Sequence, residues 1–144
     1  RKMSYLDGDI VRLNLSQGLG FSEKDRSINV RRIGFCCAEI TKHGGIAVAA
    51  NIAPFKDDRI YNREKISSEG HYIEIFVDTS LDNCEKRDVK GLYKLARKGV
   101  IKEFTGITSR FDKPENVELV LSDKNTIEQN VNLVIDYLKN NGLI

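Results

Sequence analysis

Residues 23–52 read EKDRSINVRRIGFCCAEITKHGGIAVAANI, and the two halves of this stretch have different periods. In the first half Ile28, Val30, Ile33, Cys37 and Ile40 recur mostly at steps of three and four residues. That period predicts an α-helix over 23–43 with one buried face. Ser22 offers an N-cap hydroxyl and Gly44-Gly45 a stop. In the second half, 46–52 (IAVAANI) is apolar throughout except for Asn51. A continuous apolar run of that length predicts a buried strand. A helix feeding a buried strand is the repeating unit of an α/β fold.

The unit recurs outward in both directions. Ser4-Tyr5-Leu6 predicts a short strand that ends in a turn at Asp7-Gly8-Asp9. The charged stretch 56–68 predicts an exposed helix, and 72–78 (YIEIFVD) predicts a strand. A short helix over 81–86 and a strand over 117–121 follow. Ile127, Val131, Val134, Ile135 and Leu138 form the apolar stripe of a C-terminal helix ended by Asn141-Gly142. Apolar strands alternating with helices imply a parallel β-sheet flanked by helices on both faces. No internal repeat or linker is visible, so residues 1–144 are expected to form a single domain. Ligands of such sheets bind beyond the carboxyl ends of the strands. The clusters at 7–9, 51–55 and 78–80 each follow a predicted strand and are expected on one rim.

The 144 residues carry 23 Lys and Arg against 21 Asp and Glu, are 40% hydrophobic and 31% charged, and have a net charge of +2. These are the proportions of a globular domain with length enough for a core. So even a balance argues against a polybasic nucleic-acid coat, while leaving room for a local basic pocket. No window approaches the roughly 18 consecutive apolar residues of a membrane span. Arg1-Lys2-Met3-Ser4 leads into no apolar signal-peptide core. A cytoplasmic protein without nucleic-acid or membrane partners is the expectation. Cys36, Cys37 and Cys84 are odd in number and lack ligand spacing, which suits thiols in a reducing compartment. His43 and His71 have no ligand cluster beside them and read as ordinary loop or element-end residues.

At the rim, an Asp7-Gly8-Asp9 carboxylate could hold Mg²⁺ or take a proton from a hydroxyl, although an Asp-Gly turn accounts for the tripeptide alone more simply. Arg12, Phe21, Arg26, Asn29, Arg31 and Arg32 follow. Guanidinium forks grip phosphate or sulfate, and an aromatic face stacks a base. Arg12 and Arg26 flank the turn Gly18-Leu19-Gly20-Phe21. Residues 87–114 carry Lys90, Lys94, Arg97, Lys98, Lys102 and Arg110, interleaved with Tyr93, Phe104 and Phe111 and jointed by Gly91, Gly99 and Gly106. Such a stretch reads as a lid closing over a polyanion, or more plainly as a solvated basic loop. No Gly is followed by Lys, so the phosphate-cradling G-x-x-x-x-G-K-[ST] loop does not occur in these residues.

Several motifs, in order, resemble the adenylylsulfate (APS) kinase family. They are Leu6-Asp7-Gly8-Asp9-Ile10-Val11-Arg12, Leu19-Gly20-Phe21-Ser22 with Asp25-Arg26, Asn29 and Arg31-Arg32, and Ile52-Ala53-Pro54-Phe55 with Asp58-Arg59. Phe76-Val77-Asp78-Thr79, Cys84-Glu85, Arg87-Asp88-Val89-Lys90-Gly91-Leu92-Tyr93, Ile101-Lys102-Glu103-Phe104-Thr105-Gly106-Ile107 and Pro114-Glu115 complete the resemblance. It implies a P-loop kinase fold with a mobile lid over about 87–114, here without the family's first strand, P-loop and first helix. It implies transfer of the γ-phosphoryl of MgATP to the 3′-hydroxyl of APS, giving ADP and PAPS, the activated sulfate donor. Position by position it makes Asp9 the catalytic carboxylate near the hydroxyl and the metal, the latter directly or indirectly. Arg12, Arg26 and Asn29 would hold the phosphosulfate and ribose, and Phe21 and Phe104 would sandwich the adenine. Ile52 would line that pocket, Lys90 would reach APS from the lid, Glu103 and Phe104 would close over it, and Arg87 would lie on the ATP side. Mg²⁺ with ATP is the implied cofactor; ATP, APS and PAPS are the implied ligands, in a homo-oligomer.

Two departures stand out. Ala53 replaces a serine common in the family. Asn14-Leu15-Ser16-Gln17-Gly18 and Phe35-Cys36-Cys37-Ala38-Glu39-Ile40-Thr41 look more like the kinase domain fused to ATP sulfurylase. The same resemblance therefore admits a second reading, a kinase-like regulatory domain of a sulfurylase that binds PAPS or APS without catalysis.

Overall fold

The computed structural model describes residues 2–144. The chain forms two compact units, one comprising the residues up to Tyr72 together with Leu95–Lys113, the other Ile73–Lys94 with Pro114–Ile144.

In the first unit, β1 (Met3–Asp7) leads through α1 (Gly8–Leu13) to α2 (Glu23–Lys42), β2 (Ile46–Ala50) and α3 (Lys56–Ser67). β1 and β2 pair in parallel, in register from Met3 opposite Ile46 to Asp7 opposite Ala50. The expected helix at 23–43 is α2: Ser22 Oγ accepts the Asp25 amide at its start, and the chain leaves through His43. Val11, Ile33, Cys37, Ala38 and Ile66 form the core, with Leu6, Ala47 and Tyr72 against it. Helices 1, 2 and 3 and the sheet thus share one apolar centre.

In the second unit, β3 (Ile75–Asp78) pairs in parallel with β4 (Leu119–Ser122). It also holds α4 (Leu81–Arg87) and α6 (Ile127–Asn140), whose Thr126 and Gln129 make a reciprocal capping box. α5 (Leu92–Arg97) lies where the chain passes back from the second unit to the first.

Three expectations are corrected. Asp7-Gly8-Asp9 is not a free turn but the start of α1: Asp7 Oδ1 accepts the amides of Asp9 (2.9 Å) and Ile10 (3.2 Å). The apolar run at 46–50 is not fully buried, because among the described residues β2 pairs only with β1, and Val48, Ala49 and Ala50 remain exposed. α3 is not an exposed helix: Asp58, Arg59, Asn62 and Ile66 are buried, since its polar side chains find partners inside. Ser27 Oγ and Arg31 Nε each donate to Asp58 Oδ1 at 2.7 Å, and Asn62 Nδ2 donates to the Val30 carbonyl.

Candidate functional site

Parallel register brings two of the expected rim clusters together in the first unit. Asp7 and Ala50 are opposite each other, so 8–9 and 51–55 leave the sheet at the same end. The backbones approach closely there, and a Cβ on Gly8 would stand 3.3 Å from the Ala50 carbonyl oxygen. The third cluster, 78–80, follows β3 in the second unit.

The local structure gives the two aspartates different work. Asp7 is spent on capping, whereas Asp9 is an exposed carboxylate in the first turn of α1. Arg12, one turn along, shares that face of the helix. Its Nη1 donates to the Gly20 carbonyl (2.8 Å), and its guanidinium lies 4.4 Å from the centre of the Phe21 ring. Asp25 Oδ2 accepts the Gly20 amide (3.1 Å) and the Ser22 hydroxyl (2.9 Å). The turn carrying Phe21 is therefore fixed on both sides, while the ring itself stays 58% exposed. An exposed aromatic face on an immobilised backbone is a stacking platform.

Arg26, on the first turn of α2, is nearly buried at 8% exposure. Its Nε donates to the Phe21 carbonyl (2.7 Å), Nη1 to Thr105 Oγ1 (2.7 Å) and Nη2 to the Glu103 carbonyl (2.5 Å). It also stands 5.6 Å from the Phe21 ring centre. This one side chain brings the predicted residues Glu103 and Phe104 to the Phe21 turn. Phe104 is held by its own loop: its carbonyl accepts the amides of Ile107, Thr108 and Ser109 (3.1, 3.0 and 2.9 Å). Its amide donates to Thr108 Oγ1 (2.9 Å), and Gly106 supplies the left-handed bend at φ 84°. Burial first, then the neighbouring Arg12, lowers the Arg26 pKa from its ordinary value, with Glu103 opposing. Two guanidiniums at one ring repel each other, and an anion would relieve that repulsion.

Asn29 is 5% exposed, and its Oδ1 has no hydrogen-bond partner among the described residues. An orphan acceptor this deep fits a ligand donor. Ile52, just beyond β2, is 63% exposed. Arg31 and Arg32 do not join this cluster: α2 turns Arg31 to Asp58, and Arg32 Nη1 donates to the Leu15 carbonyl at 3.0 Å.

A second buried arginine escaped the sequence reading. Arg59 Nη1 donates to the Ala53 carbonyl (2.8 Å) and Nη2 to the Asp112 carbonyl (2.7 Å). The Lys56 amide donates to Asp112 Oδ2 (3.0 Å), and the Asp112 amide donates to the Pro54 carbonyl (2.9 Å). Residue 112 is thereby tied to the 53–56 segment, where Ala53 adopts a left-handed φ of 43°. Asp58-Arg59 was visible as a motif, but nothing local in it announces a partner at 112.

Arg87 and Lys90 belong to the second unit. α4 ends at Arg87, and the Asp88 carboxylate accepts the amides of Tyr93 and Lys94 at 3.0 Å each. The Gly91 amide closes a tight turn on the Asp88 carbonyl (2.8 Å), leaving Lys90 exposed on it. The Asn83 amide, with Arg87 contributing, lowers the pKa of Asp123. Burial and the Cys84 thiol push the Tyr93 phenol up to about 12. Cys36, Cys37 and Cys84 are all free thiols.

Among the described residues no three His, Cys, Asp or Glu side chains gather as a metal site, and no helix is long and apolar enough to cross a membrane. An exposed carboxylate such as Asp9 still suits Mg²⁺, which keeps several waters and takes one or two carboxylates beside substrate phosphates.

The adenylylsulphate kinase family profile matches residues 1–122. The adenylyl-sulfate kinase of Synechococcus sp. (strain JA-2-3B'a(2-13)) is 46% identical over 143 residues, 99% of this chain and 80% of the relative. That of Microcystis aeruginosa (strain NIES-843 / IAM M-2473) is 48% identical, over 99% and 77%. Among solved structures, the Mycobacterium tuberculosis APS kinase in complex with AMPPNP and APS superimposes with a TM-score of 0.90 at 37% identity, over 96% of this chain and 80% of that one. A hexameric APS kinase from Thiobacillus denitrificans gives a TM-score of 0.73 at 33% identity, over 100% of this chain and 24% of that one.

Proposed function

The chain belongs to the adenylylsulphate kinase family, and from that premise we propose that its first unit is the acceptor half of a kinase site, built to hold APS by its base and its anion. The activity is phosphotransfer: the 3′-oxygen of APS bonds the γ-phosphorus of ATP, the bond to the β-bridging oxygen breaks, and ADP and PAPS leave. The adenine stacks between Phe21 and Phe104, with Ile52 along the pocket wall. Arg12 and Arg26 meet the phosphosulfate, and Asn29 accepts from the ribose end. Asp9 orients the 3′-hydroxyl and takes its proton as the phosphoryl arrives. Lys90 reaches APS from the lid over about 87–114, Arg87 serves the ATP side, and Glu103 closes with Phe104. Bound with ATP, Mg²⁺ would neutralise phosphate charge, and Asp9 is the residue that would face it, directly or through water.

The observation that carries this reading is the pair of guanidiniums at the exposed Phe21 ring, with Arg26 tying that ring's turn to the segment bearing Phe104. Relatives of 44–48% identity that bear the kinase name favour catalysis over the regulatory reading. The hexameric relative supports a homo-oligomer. Three free thiols suit residence in the cytoplasm.

The test is calorimetric titration of APS into the full-length protein, followed by ADP release with ATP and APS together. Saturable binding and ADP formed one-for-one with PAPS are expected. Binding of APS or PAPS without any ADP release would favour the regulatory reading, and absence of binding would sink both.

A further inference from the structure

We propose that Thr105 is a positioning residue for the acceptor site, its hydroxyl locking the Arg26 guanidinium that joins the Phe21 turn to the segment carrying Phe104. The inference rests on the acceptor reading above for its functional consequence, but the lock itself stands on geometry.

Three nitrogens of Arg26 are engaged, and they differ in kind. Nε and Nη2 reach backbone carbonyls of Phe21 and Glu103, whereas Nη1 reaches a side chain, Thr105 Oγ1, at 2.7 Å. Two bonds leave a planar guanidinium able to rock about the line joining them. A third, to a hydroxyl on another segment, fixes its plane. The hydroxyl is itself held in place. Thr105 bridges Ser109, the loop closes on the Phe104 carbonyl, and a β-branched side chain has few χ1 choices. Arg26 is nearly buried and flanked by Arg12, so a guanidinium released at Nη1 would seek water or another acceptor. Since Phe104 is the residue before Thr105, the spacing of the two aromatic faces would then rest on the Phe21 and Glu103 carbonyl bonds alone and be held less tightly.

Thr105→Val removes the hydroxyl at nearly constant volume, and Thr105→Ser keeps the hydroxyl while removing the methyl. In ligand-free protein, exchange of the Arg26 Nε–H with solvent, followed by ¹⁵N NMR, should quicken roughly tenfold or more in Thr105→Val and stay near wild type in Thr105→Ser. APS affinity by calorimetry should weaken by roughly tenfold in Thr105→Val and within about twofold in Thr105→Ser, with the KM for ATP unmoved and the fold retained in both variants. Wild-type exchange and APS affinity in Thr105→Val would overturn the proposal. So would equal impairment of the Val and Ser variants, which would assign the effect to methyl packing. If exchange at Arg26 responds as expected while wild-type protein fails to bind APS, the lock is upheld and the acceptor reading falls.

Discussion

Asp7 and Asp9 have the same chemistry two residues apart, and the fold uses them in opposite ways. Asp7 is consumed by two amides of α1, and Asp9 presents an exposed carboxylate in the first turn of that helix. Asp9→Ala should therefore lower kcat by roughly 10²–10⁴-fold while APS affinity by calorimetry stays within error. Strong residual turnover would remove Asp9 from the chemistry. Asp7→Ala should behave differently, costing about 1 kcal/mol of stability in urea unfolding through the lost cap. Phe104→Ala should weaken APS binding by roughly 1–3 kcal/mol; unchanged affinity would dismiss the sandwich. Arg12, Phe21 and Arg26 were legible as a cluster because they lie within one short stretch, and the turn between them folds locally. Thr105 and the Arg59–Asp112 tie were not legible, because their partners lie 79 and 53 residues away along the chain. No periodicity or spacing reports a bond of that reach.

Gly34 shows at the scale of elements why α2 and α3 approach as they do. A Cβ at that position would fall 1.9 Å from Asn62 Oδ1, and the amide of Asn62 is bonded to the Val30 carbonyl one turn earlier on α2. Gly34→Ala gains about 1 kcal/mol of helix propensity, but overpacking of a filled interface typically costs about 1–3 kcal/mol. A net loss of stability in urea unfolding is expected, relieved when Asn62→Ala is added. A stabilised single variant would mean that the helices part freely. Long elements were legible here: α2 and α6 carry enough turns for their apolar period to show. α1 and α5 have six residues each, too few to display a period. α3 misled for another reason. Its charge suggested solvent, yet Asp58 and Arg59 are buried, Asp58 Oδ1 accepting from Ser27 and Arg31 on α2 and Arg59 donating to carbonyls at residues 53 and 112.

Across the molecule, the alternation of apolar strands and helices predicted parallel pairing, and both strand pairs are parallel. It did not reveal that the chain divides into two units with residues 95–113 returning to the first, since that return depends on ties such as those of Arg26 and Arg59. The core of the first unit has its own signature in Cys37, packed with Val11, Ile33, Ala38 and Ile66. Burial, and secondarily the thiol of Cys36, pushes the Cys37 pKa up to about 11 from an ordinary value of 9.0. The folded protein therefore holds this proton more tightly than the unfolded chain does. That preference stabilises the fold fully below pH 9 and is lost as pH rises toward 11. The melting temperature should thus hold level up to about pH 8.5 and then fall, with one proton contributing at most about 1.4 kcal/mol per pH unit. Tyr93, raised to about 12, adds a similar dependence in the second unit at still higher pH. Cys37→Ala separates the two: it should lower the melting temperature at neutral pH through lost packing, yet flatten the decline between pH 9 and 11. A decline equally steep without the thiol would assign alkaline lability to other groups. Thiol labelling offers an independent check at pH 8, where Cys37 should resist a disulfide reagent until the protein is unfolded, because the reactive thiolate is both scarce and inaccessible.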